Sequence, residues 1–225
     1  MISSHKRAAA ELNDIKELVL KQLNTATEKQ AADFILKEYK KRGLKPSDKP
    51  PVIVAFAKGT ADIHHFPKKT KIKNGPIMID MWAKHKDGCF ADLTWMIYKG
   101  KPDAEFMKSF ALLVNSRNKA IKFLNSCLKE KYLPTMFEID SISRAYLAKH
   151  RIGYAFQHRI GHMLGKKVHA GSRKEYYERL KLNTPYTIEP GIYLKNWGIR
   201  LENDFWIDSK FKIHLKNVQN KLISI

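Results

Sequence analysis

Five ionisable residues sit where a strand or a tight glycine turn leaves little room for charge, and any fold of this chain must account for them together. They are Asp80 in PIMIDMW, Asp92 in GCFADLTW, His162 in QHRIGHMLG, Glu189 in YTIEPGIYL and Glu202 in GIRLENDFW. Singly, each acid would pass for a surface charge. Five in a fixed order, in matching contexts, do not. Strand alternation puts Met78, Asp80 and Trp82 on one face, and Phe90, Asp92 and Thr94 on one face of the next strand. It likewise predicts that Arg200, Glu202 and Asp204 point one way. Carboxylate oxygen with a single imidazole suits two divalent first-row cations, Mn, Fe, Co or Zn. Two such cations roughly 3.5–4 Å apart can share bridging carboxylates and activate a water for hydrolysis.

The apolar spacing predicts an amphipathic helix over Lys6 to Leu23, with Leu12, Ile15, Leu18 and Val19 on its buried side. A second helix starts at Thr27, where TEKQ offers a capping box, and stops at Gly43. Strand-like runs follow at Val52–Ala57, Ile77–Trp82 and Phe90–Tyr98. Pro102 stands near the start of a helix reaching Lys129, with Asp103 and Glu105 in its first turn. Another helix covers Glu138–His150. Strand-like runs return at Tyr154–Gln157, Tyr186–Leu194, Ile199–Ile207 and Lys212–Leu215. The order helix, helix, strands occurs twice, and describes an α+β chain of two similar halves, about 1–98 and 102–215, facing each other.

The 225 residues suit one large domain or two fused halves, and 44% hydrophobic content excludes a disordered chain. Cys89 and Cys127 have no paired-ligand spacing and point to a reducing, cytoplasmic setting. No apolar run approaches the roughly 18 residues of a membrane span, nor is there a signal-peptide pattern. Forty-two basic residues against 22 acidic ones leave a net charge of +20, clustered at Lys68, Lys69, Lys71 and Lys73 and again at Lys210, Lys212, Lys216 and Lys221. Such a charge favours polyanions through counterion release and steering. No RNA-binding signature accompanies it. Solvated lysine faces are the bland reading, with nucleic-acid binding weak and non-specific at most.

In order and context, the five residues resemble the ligand motifs of the M24 metallopeptidases of the "pita-bread" fold: methionine aminopeptidases, Xaa-Pro aminopeptidases, prolidases and creatinase. The resemblance runs from about Thr27 to Ile207. It implies two pseudo-symmetric halves with curved antiparallel sheets around a dinuclear cleft, together forming one catalytic domain over 1–225. It also implies that Asp80 chelates one metal, His162 and Glu189 the other, and that Asp92 and Glu202 bridge them. Trp82 stands where a glycine is often found, and the two aspartates are 12 residues apart, which leaves the metal's identity open. The extra N-terminal domain of typical prolidases is expected to be missing.

Flanking residues favour the proline-cleaving branch. His158, His162 and His169 form an H-x3-H-x6-H run, and GTADIHHFP brings His64 and His65. His158, His169 and His64 fall where Xaa-Pro-cleaving members keep catalytic or substrate-binding histidines, and Arg200 where they keep an active-site arginine. A lone histidine is usually a surface or capped residue, and His5, His85, His150 and His214 are read that way. The simpler role for Arg200 is to orient Glu202 or a neighbouring carboxylate. By the resemblance, Glu189 takes a proton from the attacking water and passes it to the leaving proline nitrogen, while His64 and His169 steady oxyanion and substrate. Phe66, Trp82 and Trp197 are aromatic candidates for the proline pocket, with core packing the first reading for Trp82. The branch implies a peptide substrate and leaves a homodimer open. Two other readings compete: methionine removal or creatinase-like C–N hydrolysis, and a basic pseudo-peptidase reused to bind ribosomes or RNA. Intact ligands argue against the last.

Overall fold

A computed structural model describes residues 1–216 and 218–225. Helix α1 spans Ile2–Leu20 and buries Ala8, Leu12, Ile15 and Val19. Its apolar stripe extends one turn further toward the N-terminus than predicted, because His5 and Ala8 continue it. Helix α2 spans Glu28–Arg42. The predicted capping box forms, Thr27 and Gln30 satisfying each other's backbone N–H, and Gly43 closes the helix in the left-handed conformation at φ 68°.

Strands β1 (Leu44–Lys45) and β2 (Ile53–Phe56) both pair antiparallel with β3 (Gly75–His85), which pairs with β4 (Ala91–Lys99). The short β10 (Ile223–Ser224) lies parallel to β4, a departure from the all-antiparallel expectation. This sheet is covered on both faces. Ile77, Ile79, Met81, Leu93, Trp95 and Ile97 pack against α1 and α2 in one core, while Met78, Trp82, Met96 and Tyr98 belong to a second. Each fully buried Leu or Ile contributes about 1.5–3 kcal/mol, enough to fix which face of the sheet looks inward.

Helix α3 (Ala104–Lys129) is capped by the Asp103 side chain, and α4 (Met136–Lys149) by a second capping box, Thr135 with Glu138. That box explains why α4 begins earlier than Glu138. The predicted strand at Tyr154–Gln157 is absent. A short 3-10 turn, Gly153–Ala155, stands there, because the Arg144 guanidinium takes the Phe156 and His158 carbonyls that a neighbouring strand would need. The last two long runs are each broken in two. Strands β5 (Tyr186–Ile188) and β6 (Gly191–Tyr193) are separated by Glu189–Pro190, and β7 (Gly198–Arg200) and β8 (Asn203–Ile207) by Leu201–Glu202. Pro190 has no N–H to offer a ladder, and its carbonyl accepts from Leu201 N at 3.2 Å. Strand β9 (Ile213–Leu215) completes a β5-β8-β9 sheet, and β6 pairs β7. Among the described residues no helix is long and apolar enough to cross a membrane.

Candidate metal centre

The register of β3 against β4 sets the first half of the site. Asp80 pairs with Thr94 and Trp82 with Asp92, so the two aspartates are diagonal neighbours on the inward face. The second half hangs on the chain breaks. The loop carrying His162 runs beside β5: its N–H reaches Thr187 Oγ1 at 3.0 Å, and Glu189 N reaches Ile160 O at 2.7 Å. Only glycine allows this approach, since a Cβ on Gly161 would lie 2.2 Å from Thr187 O. Glu202 occupies the break before β8, its N–H 3.4 Å from Thr94 O. The residues that interrupt the strands are thus the ones presented to the cleft.

One cavity of about 610 Å³ is lined by Asp80, Asp92, His162, Glu189 and Glu202, and also by His64, His158, His169 and Arg200. Ligand atoms of Asp92, His162 and Glu202 lie within 4.8 Å of one another. His162 Nε2 is 3.6 Å from Asp92 Oδ2 and 3.4 Å from Glu189 Oε1. Thr94 Oγ1 donates to Glu202 Oε2 at 2.7 Å, and Thr187 Oγ1 to Glu189 Oε1 at 3.0 Å, which orients both glutamates. Asp80 Oδ2 is ion-paired with Arg200. Burial, then repulsion from Asp80 and Glu189, pushes the Asp92 carboxyl well above the usual range; burial, then Asp92 and Glu189, does the same for Glu202. Burial also raises Asp80, against the pull of Arg200.

The ion-pair partner of Arg200 is Asp80 rather than Glu202, and the guanidinium also donates to Tyr193 Oη at 3.2 Å. Tyr193 lies 2.8 Å from His158 Nε2, and His158 Nδ1 is 2.8 Å from the Arg159 carbonyl. That carbonyl can only accept, so Nδ1 carries the proton and Nε2 receives the tyrosine's. Burial holds His158 below the ordinary histidine value and pushes Tyr193 up to about 12. His169 packs against His162 with ring centroids 4.3 Å apart and the rings tilted by 49°; its pKa is lowered by desolvation and then by His162. His64 stands at the cavity edge, while His65 is buried against Glu28 at 2.9 Å and faces away from it.

Several predictions about neighbours are corrected. His5 is no surface residue: it is 1% exposed, with Nδ1 2.8 Å from Phe90 O and Nε2 3.6 Å from Asp204. His85 reaches Glu11 at 3.2 Å, and His214 is half-buried, stacked on Trp206 and 2.8 Å from Asp208. Asp204 does not point with Arg200 and Glu202. The break at Leu201–Glu202 turns it to a separate cavity of about 180 Å³ behind the site. Of the aromatic candidates only Trp82 lines the main cavity; Phe66 is 57% exposed, and Trp197 packs on Phe106. Tyr193 and Thr187 were missed by the sequence reading. Each stands within four residues of Glu189, and Thr187 shares its side of the chain, which is the signal that could have found it.

The donor set fits divalent cations. Four carboxylates and an imidazole converge with Arg200 as the fixed cation among them, and Asp80 Oδ1 is buried with no hydrogen-bond partner among the described residues. An orphaned carboxylate oxygen in a crowd of acids is what a metal ligand looks like without its metal.

A helix-backed sheet whose inner face carries aspartates, closed by a histidine loop and two glutamates at strand breaks, defines the pita-bread class of α+β folds. The chain belongs to metallopeptidase family M24, whose profile matches residues 2–209. It is 28% identical over 175 residues to an Xaa-Pro dipeptidase of Pyrococcus horikoshii, covering 76% of this chain and 48% of that one. It is also 28% identical over 189 residues to an uncharacterised peptidase of Staphylococcus epidermidis, covering 80% and 50%. Among solved structures, a recombinant prolidase from Thermococcus sibiricus superposes with a TM-score of 0.85 at 27% identity, covering 100% of this chain and 60% of the prolidase. The chain spans about half the length of the curated relatives it matches.

Proposed function

We propose that the chain is a dinuclear metal-dependent exopeptidase that hydrolyses the bond before proline, acting as an Xaa-Pro dipeptidase or aminopeptidase. The observation that carries this reading is the convergence of Asp80, Asp92, His162, Glu189 and Glu202 on one cavity that also holds His64, His158, His169 and Arg200. The likeness to an Xaa-Pro dipeptidase and a prolidase supports the proline branch. Residues 1–225 then act as one catalytic domain, its halves about 1–98 and 102–215 each contributing ligands. The two unpaired cysteines agree with a cytoplasmic location.

Asp80, Asp92, His162, Glu189 and Glu202 would hold two divalent ions such as Mn, Co, Fe or Zn. Bound there, such ions supply a water acidified enough to attack a carbonyl near neutral pH. Glu189, half-buried and aimed by Thr187, accepts the water's proton and returns it to the leaving nitrogen. His158, half-buried and held below the ordinary histidine value, has its Nδ1–H committed to the Arg159 carbonyl and its Nε2 to Tyr193, which fixes the ring beside Glu189, 4.0 Å away. Arg200 holds Asp80 in place, and His64 and His169 border the cavity as donors for the substrate carbonyl.

The test is hydrolysis of Xaa-Pro dipeptides, Xaa-Pro-Xaa tripeptides and Met-Ala peptides with Mn, Co and Zn each supplied, together with elemental analysis. Cleavage before proline with about two metals per chain is the expected result. No metal above background in folded protein overturns the enzyme reading, and cleavage after methionine alone overturns the proline branch.

A further inference from the structure

The main cavity holds more than the ligands and their helpers. Three cations of its lining, Lys49, Arg159 and Arg173, make no ion pair among the described residues. Other cations of the wall are committed: Lys181 pairs with Glu175 at 3.1 Å, and Arg179 donates to Leu133 O at 3.0 Å.

Arg159 differs from its two companions in being held. Its guanidinium carbon lies 4.5 Å from the centre of the Tyr176 ring, and that ring is 7% exposed. Stacking on an aromatic face fixes the plane of the guanidinium while leaving its N–H groups unspent. The residue also follows His158 directly, and its own carbonyl orients the His158 ring. A planar donor fork, positioned but unpaired, at the edge of a peptide cavity is built to receive a carboxylate. The local field acts the same way: once two divalent ions balance the four ligand carboxylates, the uncommitted cations dominate the wall, on a chain of net charge +20.

We propose that Arg159 makes the cavity selective for substrates bearing a side-chain carboxylate, glutamate or aspartate, next to the scissile bond. This rests on the proline-exopeptidase reading of the same cavity and adds the class of peptide it takes.

The metal-loaded protein is assayed on Leu-Pro-Gly, Glu-Pro-Gly and Lys-Pro-Gly, each with a C-terminal amide so that no main-chain carboxylate competes, and on Leu-Pro-Gly with a free C-terminus. The glutamate peptide is expected to exceed the leucine peptide in kcat/KM by about tenfold to a hundredfold, mainly through KM, the size of one charge-assisted contact. The lysine peptide is expected to fall below both, and added salt to narrow the spread. In Arg159→Gln the ratio of glutamate to leucine should collapse toward one, and in Arg159→Lys part of it should return. Thermal melts on each variant separate loss of fold from loss of selection, and the lysine variant carries the test if the glutamine variant does not fold. Equal rates on the glutamate and leucine amides, or a ratio that survives in Arg159→Gln, overturn the inference while leaving the proline reading intact. A gain seen only with the free C-terminus overturns it too, and moves the carboxylate to the peptide's end. If none of these peptides is cleaved, and no Xaa-Pro dipeptide either, the proline reading fails by itself; calorimetric binding of the same amides to the loaded protein then reads the selection directly, and equal affinities overturn it.

Discussion

Replacing Asp204 asks how far the metal centre depends on what stands behind it. Asp204 lies outside the main cavity, 4% exposed, with Oδ2 accepting from Asp92 N at 3.2 Å. His5 closes the arrangement from helix α1, donating from Nδ1 to Phe90 O and facing Asp204 with Nε2. Burial pushes the Asp204 carboxyl well above the usual range, so its charge adds no stability; what matters is the acceptor. Asp204→Asn keeps an acceptor oxygen and removes the buried ionisable group, and should fold at least as stably as the parent. Asp204→Ala leaves Asp92 N without a partner in the interior, at a cost of about 1–3 kcal/mol. In a chain of this size that corresponds to a fall in Tm of roughly 2–12 °C. Because the lost bond positions the main chain of Asp92, metal affinity should also weaken by about 10–100-fold in the alanine variant, the usual effect of an outer partner. Calorimetric titration with Mn, alongside thermal melts, reads both. Equal metal affinity in the alanine and asparagine variants would refute the positioning role, whatever the melts show.

Three further outcomes follow from the same geometry. His169→Ala should keep its metals while turnover of an Xaa-Pro peptide falls by roughly 10²–10⁴-fold; full turnover with metals bound would remove His169 from the site. Glu28→Ala should lower stability by about 3–5 kcal/mol in a denaturant melt, because the buried carboxylate accepts from Phe56 N and Lys68 N at 2.8 Å each and from His65 at 2.9 Å. A loss under about 1 kcal/mol would show that water replaces those bonds. At Glu138, burial alone would raise the carboxyl, but Tyr132 and Thr135 hydrogen bonds outweigh it and hold the group below the ordinary value. Its folded pKa being depressed, its contribution is present above the unfolded value near 4.5 and is lost as pH falls below that. Denaturant melts from pH 6 to pH 3 should show Glu138→Gln losing less stability on acidification than the parent; parallel curves would contradict this.

The long elements were legible because their periodicity is strong. The apolar stripes of α1 and α3 and the alternation in β3 and β4 each demand one buried face, so Asp80 and Asp92 could be placed on the inward side from sequence. The failures have local causes. Tyr154–Gln157 has strand composition, but Arg144, twelve residues before Phe156 in the chain, captures its carbonyls. Glu189–Pro190 and Leu201–Glu202 lie inside apolar runs, and alternation carried through them misdirected Asp204. His5 looked like a surface residue because nothing nearby in sequence hints at partners 85 and more residues away.

Those breaks show where the fold yields to the site. A continuous strand through Leu201–Glu202 would keep its ladder and put Arg200, Glu202 and Asp204 on one face, four buried acids and their arginine crowded into a single cleft with a fifth acid added. The break separates the last two: Glu202 turns to the main cavity and is held by Thr94, and Asp204 turns behind it to hold Asp92. Carboxylates two residues apart in chain order thus support the same centre from opposite sides of β4. Asp80, Asp92 and Glu202, all pushed above the ordinary carboxylate range by burial, make that cleft unfavourable until cations occupy it. Any ligand binding the folded state alone raises stability by mass action, so metal loading should stabilise this chain against heat as well as arm it, and chelator should remove both together.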